Sequence, residues 1–349
     1  MKRHLTKRLI LSILIFVICI GLTILIILMN VKPKVLAKSL MAIDKTYIIL
    51  GMFFMLLYSL IEAISIKMLL SRMHIRKPLF SCMKYAIIGF FFSGVTPSSS
   101  GGQSMQMVYM RNDDIQYSDS SFTLLVLLFC YQIVIGIYGT IGYIVNFNEL
   151  QSIFQSLNVW FFIAIMIDLA IVFFVGTLIF KWQLAERIMY FIKKVCYMIN
   201  SKLGDRINDK INAFIDRYRN SSEHINKDKR IIFRVLCNTF IQYILLYSIP
   251  FFVYKGLGNS GFPYIPMLML QAVLYIGCGF VPVPGALAVT ESLFILIFSN
   301  YFSHDDIGNA VIISRAISLY LPVIFYGILS AWWMKSLPFE GKNKVENNN

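Results

Sequence analysis

The stretch Gly94–Met105, GVTPSSSGGQSM, follows without a break on the apolar run YAIIGFFFS at residues 85–93. A proline, three serines and two glycines are surface-loop chemistry, yet here they interrupt sequence that reads as lipid-embedded. Backbone that is not helical survives at membrane depth only where protein buries it or a wet cavity lines it, because lipid offers no partner to a free N–H or C=O. The rest of the chain supports that setting. Of its 349 residues 58% are hydrophobic and only 14% charged, whereas soluble domains run at about half apolar and about a quarter charged. Runs of about 20 apolar residues recur, at 9–29, 47–70, 122–146, 158–180, 235–255 and 309–333. Two further apolar stretches, 85–112 and 264–299, are each broken by Pro and Gly. The fold class expected is an all-α polytopic membrane protein of 6–8 hydrophobic segments: about six full spans and two re-entrant broken-helix hairpins. Residues 1–335 form one membrane domain, and 336–349 a polar tail.

Charge sets the orientation. The net charge is +14, and the basic residues gather between spans, where anionic lipid heads or plain topology signalling explain them without nucleic acid. Lys2, Arg3, Lys7 and Arg8 hold the N-terminus in the cytoplasm, and the first apolar run reads as an uncleaved signal anchor. Lys67, Arg72, Arg76 and Lys77 mark the segment around 71 as cytoplasmic, and the basic loop 181–234 joins it there. Within that loop Leu184, Ile188, Phe191, Ile192, Val195 and Ile199 recur at helical spacing around Arg187, Lys193 and Lys194. This is an amphipathic helix that either lies on inner-leaflet anionic lipid or caps the bundle. By parity, 85–112 must return to the side it left, while 264–299 enters from the opposite face. The C-terminus is then cytoplasmic, in a multi-pass protein of the bacterial plasma membrane. Lys32, Lys34, Lys38 and Lys45 contradict the rule in a loop assigned to the outside.

The tips share a pattern, Gly94-x-x-Pro97 then Gly101 against Gly279-x-x-Pro282 then Pro284-Gly285. Opposed insertion of similar broken helices is an inverted-repeat transporter design. Pro97 and Pro282 stop the incoming half-helices, and Gly101, Gly102 and Gly285 permit the reversal, with a positive φ expected at Gly101. The next half-helix opens with unpaired N–H groups suited to an anionic group, and Ser98, Ser99, Ser100 and Gln103 add hydroxyl and amide partners. A packing corner capped by its serines is the plainer alternative. Four charges fall inside apolar segments: Glu62, Asp168, Glu291 and Arg315. Each costs about 2.5–3.5 kcal/mol at a helix centre on insertion scales, so each is a candidate site residue. Arg315 cannot shed its charge and binds phosphate as a planar fork; it joins the first tip around a head group, or it pairs internally with Glu62 or Glu291. Six scattered cysteines and four histidines give no metal or disulfide spacing, and no nucleophile, P-loop or dinucleotide motif points to catalysis or a cofactor.

Two motifs carry a resemblance: Pro97 with Gly101-Gly102-Gln103, and Pro284-Gly285 followed by Glu291. They resemble the flippase-like family of the lysylphosphatidylglycerol synthase transmembrane region, the membrane half of the multiple peptide resistance factor, over about 8–335. The family shows Pro-Gly-Gly-x-Gly-x-x-Glu at the second motif; Ala286 and Ala288 replace its two later glycines here, which argues against a tight glycine-like backbone there. The resemblance implies translocation of a polar lipid, anionic or aminoacylated, such as aminoacyl-phosphatidylglycerol. Its alternatives are a phosphatidylglycerol lysyltransferase or its membrane subunit, whose tRNA-using domain is not seen in this sequence, and a lipid-binding scaffold. A homo-oligomer is compatible with all three.

Overall fold

A computed structural model describes residues 43–96, 99–153, 158–199, 201–279, 281, 283, 286 and 288–334, with no strand among them. The first helices are α1 (Lys45–Arg72), α2 (Leu79–Val95), α3 (Ser100–Asn112), α4 (Tyr117–Val145), α5 (Phe147–Ile153) and α6 (Asn158–Phe180). Next come α7 (Trp182–Ile199), α8 (Ser201–Asn226), α9 (Arg230–Tyr247) and α10 (Ile249–Gly256). The last are α11 (Tyr264–Cys278), α12 (Val289–Phe298), α13 (Ile307–Arg315) and α14 (Leu321–Met334). Five stretches among the described residues are long and apolar enough to cross a bilayer: α1, α4, most of α6, α9 with α10, and 307–330. They match five of the six expected spans; the sixth, 9–29, lies outside the described residues, as do Lys32, Lys34, Lys38 and the tail 336–349. Two spans are less regular than the apolar pattern suggests. The 235–255 span changes helix at Ser248, with Pro250 in the first turn of α10. The 309–333 span is interrupted by a π-helical turn at Ala316–Tyr320.

The two broken stretches are hairpins. With 17, 13, 15 and 10 residues, α2, α3, α11 and α12 reach about 26, 20, 23 and 15 Å at the α-helical rise, short of a hydrocarbon core of about 30 Å. Contacts fix their antiparallel sense. Across the first hairpin Gly89 abuts Gln106 and Gly102 abuts Ser93. Its base is closed by Tyr85 donating to Asp113 and by Lys77 Nζ donating to the Asp113 carbonyl. Across the second, Gly277 faces Leu293 and the base is closed by Phe262 packing at a tilt on Tyr301, with ring centroids 4.1 Å apart.

These bases lie at opposite ends of the bundle. Around the first are Arg72 paired with Asp228, His74 against His224, and Phe80 against Trp333; this is the basic end. Around the second are Asp44, whose N–H donates to the Gly256 carbonyl, and Glu149, bonded to Tyr301. Lys45 starts α1 at that opposite end, where the sequence pattern had set it against the charge rule. The apolar core follows the same division. One cluster lies toward the basic end, with Leu70, Tyr85, Ile88, Phe122 and Tyr326, and a second toward the other, with Met55, Tyr247, Leu274, Phe294 and Val311. Phe90, Tyr131 and Leu236 touch both clusters, and Val283 of the second tip reaches across to the first.

The basic loop resolves into two helices with different roles. α8 caps the bundle: Tyr218 and Ser222 donate to the Leu178 and Ile179 carbonyls, and Ser221 donates to Asp119. On its surface Arg219 holds the Glu223 carboxyl below the usual range through a hydrogen bond. α7 is the amphipathic element. Leu184 and Ile188 pack on the core, while Tyr190, Phe191 and Met198 are exposed.

Candidate functional site

Three of the four intramembrane charges sit in two polar clusters, each reached by one hairpin. In the first, Gln106 of α3 donates from Nε2 to Glu62 Oε1 of α1 at 3.0 Å. The reach depends on Gly89 of α2: a Cβ there would stand 2.2 Å from the Gln106 amide. Small residues let the hairpin arms close to this distance, and Gly102, whose Cβ would meet Ser93 Oγ at 2.0 Å, does the same one turn nearer the tip. Glu62 has no ion-pair partner among the described residues. Tyr131 and Gln242 stand beside it, although their buried OH and Nε2 find no hydrogen-bond partner.

In the second cluster, Arg315 Nε donates to Glu291 Oε1 at 2.7 Å, and the Tyr320 OH donates to the same oxygen at 3.2 Å. Both members of the ion pair are buried, at 6% and 2% exposure. Glu291 lies in the first turn of α12, just past the second tip, where a carboxylate is favoured by the helix dipole. The π turn explains how two residues five apart serve one oxygen. At about 100° per residue they would point about 140° away from each other in an α-helix; the wider turn closes through Leu321 N–H to the Ala316 carbonyl and brings them to one side. Its cause is Pro322, which has no N–H to give the Ser318 carbonyl. Glu291 Oε2 is buried and has no hydrogen-bond partner among the described residues.

A file of buried and half-buried tyrosines joins the clusters. Tyr58 and Tyr131 lie 6.4 and 6.0 Å from Tyr243, which is 5.4 Å from Tyr247, itself 5.1 Å from Tyr275, all as ring centroids. Tyr275 is within electrostatic reach of Arg315 and Glu291. Two facing apolar clusters with a polar file between them give a bundle interior that can take a charged group at mid-depth.

A family model for the lysylphosphatidylglycerol synthase transmembrane region matches residues 9–325. The chain belongs to that family. Comparison with curated proteins finds no match. Membership makes a lipid-related membrane role a property of the chain, and it brings the family's two motifs, at the two tips, under the geometry.

At the first tip Pro97 and Ser98 lie outside the described residues, and the backbone corrects the reading of Gly101. Gly101 belongs to the first turn of α3 with an ordinary φ; the left-handed residue is Ser99, at φ 54°. What Gly101 provides is closeness. Its N–H donates to Thr96 Oγ1 at 2.9 Å, and a Cβ would fall 2.5 Å from Thr96 Cγ2. Ser99, Ser100 and Gln103 are exposed around this turn. At the second tip Pro282, Pro284 and Gly285 lie outside the described residues. Ala286 and Ala288, which replace family glycines, nonetheless take positive φ of 49° and 65°, so the glycine-like backbone survives in alanine. Asp168 is in neither cluster: it is buried in α6 against Gly136 of α4. Sequence reasoning missed Gln106, Thr96, Tyr320 and the tyrosine file. Pro322 inside an apolar span was the available signal for Tyr320.

Proposed function

We propose that this protein carries the polar head group of a membrane lipid between leaflets, the two hairpins opening a mid-depth site to each side in turn. The observation that carries the reading is the opposed entry of two broken hairpins, each delivering a buried polar group to the same interior. Such an arrangement suits alternating access around a fixed site. Charge narrows the head group. Among the described residues Glu62 has no cation beside it and Glu291 keeps Oε2 without a partner, while Arg315 is already bonded to Glu291. An interior with acidic oxygens to spare suits an ammonium, so an aminoacylated phosphatidylglycerol fits better than phosphatidylglycerol itself. Its phosphate would face the opening turn of α3, where Ser99, Ser100 and Gln103 are exposed. We read the basic end as cytoplasmic, following the positive-inside rule.

The test is the purified chain in vesicles carrying a labelled lysyl-phosphatidylglycerol or labelled phosphatidylglycerol, followed by leaflet-selective quenching. The expected result is quenching that proceeds beyond the outer leaflet for the lysyl lipid, faster than for phosphatidylglycerol, and slowed by Glu62→Gln. Saturable binding without inner-leaflet loss would instead make the chain a lipid-binding scaffold, and new lysyl lipid formed from lysyl-tRNA would make it a transferase.

A further inference from the structure

Asp168 is the one buried aspartate among the described residues, at 2% exposure. It sits halfway along α6, whose other faces are open to lipid: Met166, Leu169 and Phe173 are 66%, 54% and 75% exposed. The carboxyl points instead at α4. Antiparallel contacts Phe129–Gly176, Gly136–Asp168 and Tyr143–Phe161 set the two helices side by side, and a Cβ on Gly136 would stand 2.5 Å from Asp168 Oδ2. Glycine at 136 thus makes the space the carboxyl fills. Asp168 Oδ1 is buried and has no hydrogen-bond partner among the described residues.

Among the described residues the surroundings hold no counter-charge. Asp168 is the sole charged residue of α6; α4 has only Asp119, in its first turn, and α11 has none. α7 and α8 meet the far end of α6, where Tyr218 and Ser222 bond Leu178 and Ile179, about 15 Å along the helix from position 168. Their lysines and arginines belong to that end. The titratable group within electrostatic reach is Tyr243 of α9, itself a donor without charge. The other titratable side chains of α4 and α11 are Tyr117, Cys130, Tyr131, Tyr138, Tyr143, Tyr264, Tyr275 and Cys278, all neutral. Glu62 differs, because an amide donor already serves its oxygen. A carboxylate with no cation beside it and no hydrogen bond at its buried Oδ1 takes up a proton in a dry interior rather than remain ionised.

We propose that Asp168 is the proton-binding site of this membrane domain and that its proton is the coupling ion for lipid movement. The acid is neutral while α6 packs against α4 as here. When the helices part and water enters, the O–H bond breaks, the proton leaves to that side, and the carboxylate stays until the interior closes again. The coupling half of this proposal rests on the lipid-moving function above; the proton site does not.

Two measurements on the full chain in vesicles separate the parts. Infrared spectra at neutral pH should contain a protonated-carboxyl C=O band that shifts in D2O, shifts again when aspartates carry ¹³C at the side-chain carboxyl, survives Glu62→Gln and vanishes in Asp168→Asn. The isotope label identifies the group in the unmutated protein, so the result stands even if a variant does not fold. A band insensitive to aspartate labelling, or no such band, overturns the proton site. In the second arm a pH step of one unit is set across the vesicle. One proton per lipid shifts the steady-state leaflet ratio of the lysyl lipid by about tenfold, and Asp168→Asn abolishes the shift. A wild-type chain that exchanges the lipid with a ratio indifferent to the step overturns the coupling. A chain that moves no lipid at any pH refutes the function proposed above, and the infrared arm then still decides the proton site.

Discussion

Breaking the Arg315–Glu291 pair is the perturbation whose size the structure sets most directly. Arg315→Met leaves the Glu291 carboxylate at 2% exposure with Tyr320 at 3.2 Å and without the 2.7 Å guanidinium bond. A buried charge abandoned by its partner costs about 3–5 kcal/mol. Glu291→Gln leaves the guanidinium in the same position and should cost a similar amount. The double variant removes both charges and should be less destabilised than the sum of the two, with a coupling energy of about 2–3 kcal/mol. Arg315→Lys keeps the charge but not the planar fork, so it should recover part of the stability and little of the transport. The assay is thermal unfolding of the parent and the four variants in one detergent or nanodisc, paired with the leaflet-quenching measurement. Single variants should melt on the order of ten degrees below the parent. Additivity within about 0.5 kcal/mol, or a wild-type melt for Arg315→Met, would refute the claim that this pair links the second tip to the span beside it.

Other outcomes follow from the same contacts. Ala288→Gly should raise stability by about 1 kcal/mol, because glycine carries no steric cost at φ 65°, and a lower melting temperature would show that the alanine methyl packs at the tip. Gly102→Val should disrupt the first hairpin, since its Cβ meets Ser93 Oγ at 2.0 Å and the Gly89 carbonyl at 2.7 Å; normal folding with normal transport would argue that the arms need not pack closely. Gly101→Val should fail through collision with Thr96, and a second-site Thr96→Ser, which keeps the hydroxyl and removes the Cγ2 methyl, should restore part of the activity. Changing Lys193 and Lys194 to Gln in an α7 peptide should weaken its partition into anionic vesicles about thirtyfold at low salt, at about 1 kcal/mol per basic residue. Equal partition into neutral vesicles would leave α7 as a bundle element only.

Much of the architecture is legible in composition and punctuation. Apolar runs of membrane length locate the spans, and Pro97, Gly101, Pro284 and Gly285 mark where two stretches turn back, because proline and glycine act locally. The pairing of Arg315 is legible only as a choice between Glu62 and Glu291, since a charge inside a span announces that it needs a partner without saying which helix supplies one. Gln106 reaches Glu62 because Gly89 is small on the facing arm, a relation between residues 17 apart in the chain and one helix away from the carboxylate. The tyrosine file is hidden for a similar reason: aromatic residues are frequent throughout, and only packing tells which faces turn inward. Positive φ was expected at Gly101 because glycine permits it, yet Ser99, Ala286 and Ala288 adopt it. Permission is a property of the residue; the demand comes from the turn.

The segment 315–323 touches both hairpins, and this gives the two opposed tips a mechanical connection. Arg315 and Tyr320 hold Glu291, three residues beyond the strained Ala288 of the second tip. Between and beyond them Leu319 and Val323 pack against Gly94, at the end of the first hairpin's incoming helix, where a Cβ would meet Val323 Cγ2 at 2.6 Å. Ile317, on the same π turn, fills the space left by Gly51 of α1. A π turn has one more residue per hydrogen-bonded ring than the helix around it, and such turns gather at functional sites. Unwinding this turn would move Tyr320 off Glu291 and displace Leu319 against Gly94 in one motion. Ser99 in the left-handed region, costing about 1–2 kcal/mol, and Ala288 at positive φ place backbone strain at both tips. The alternating access proposed above requires two discrete arrangements of the bundle, and a turn gripped by both hairpins is the element such a switch would use.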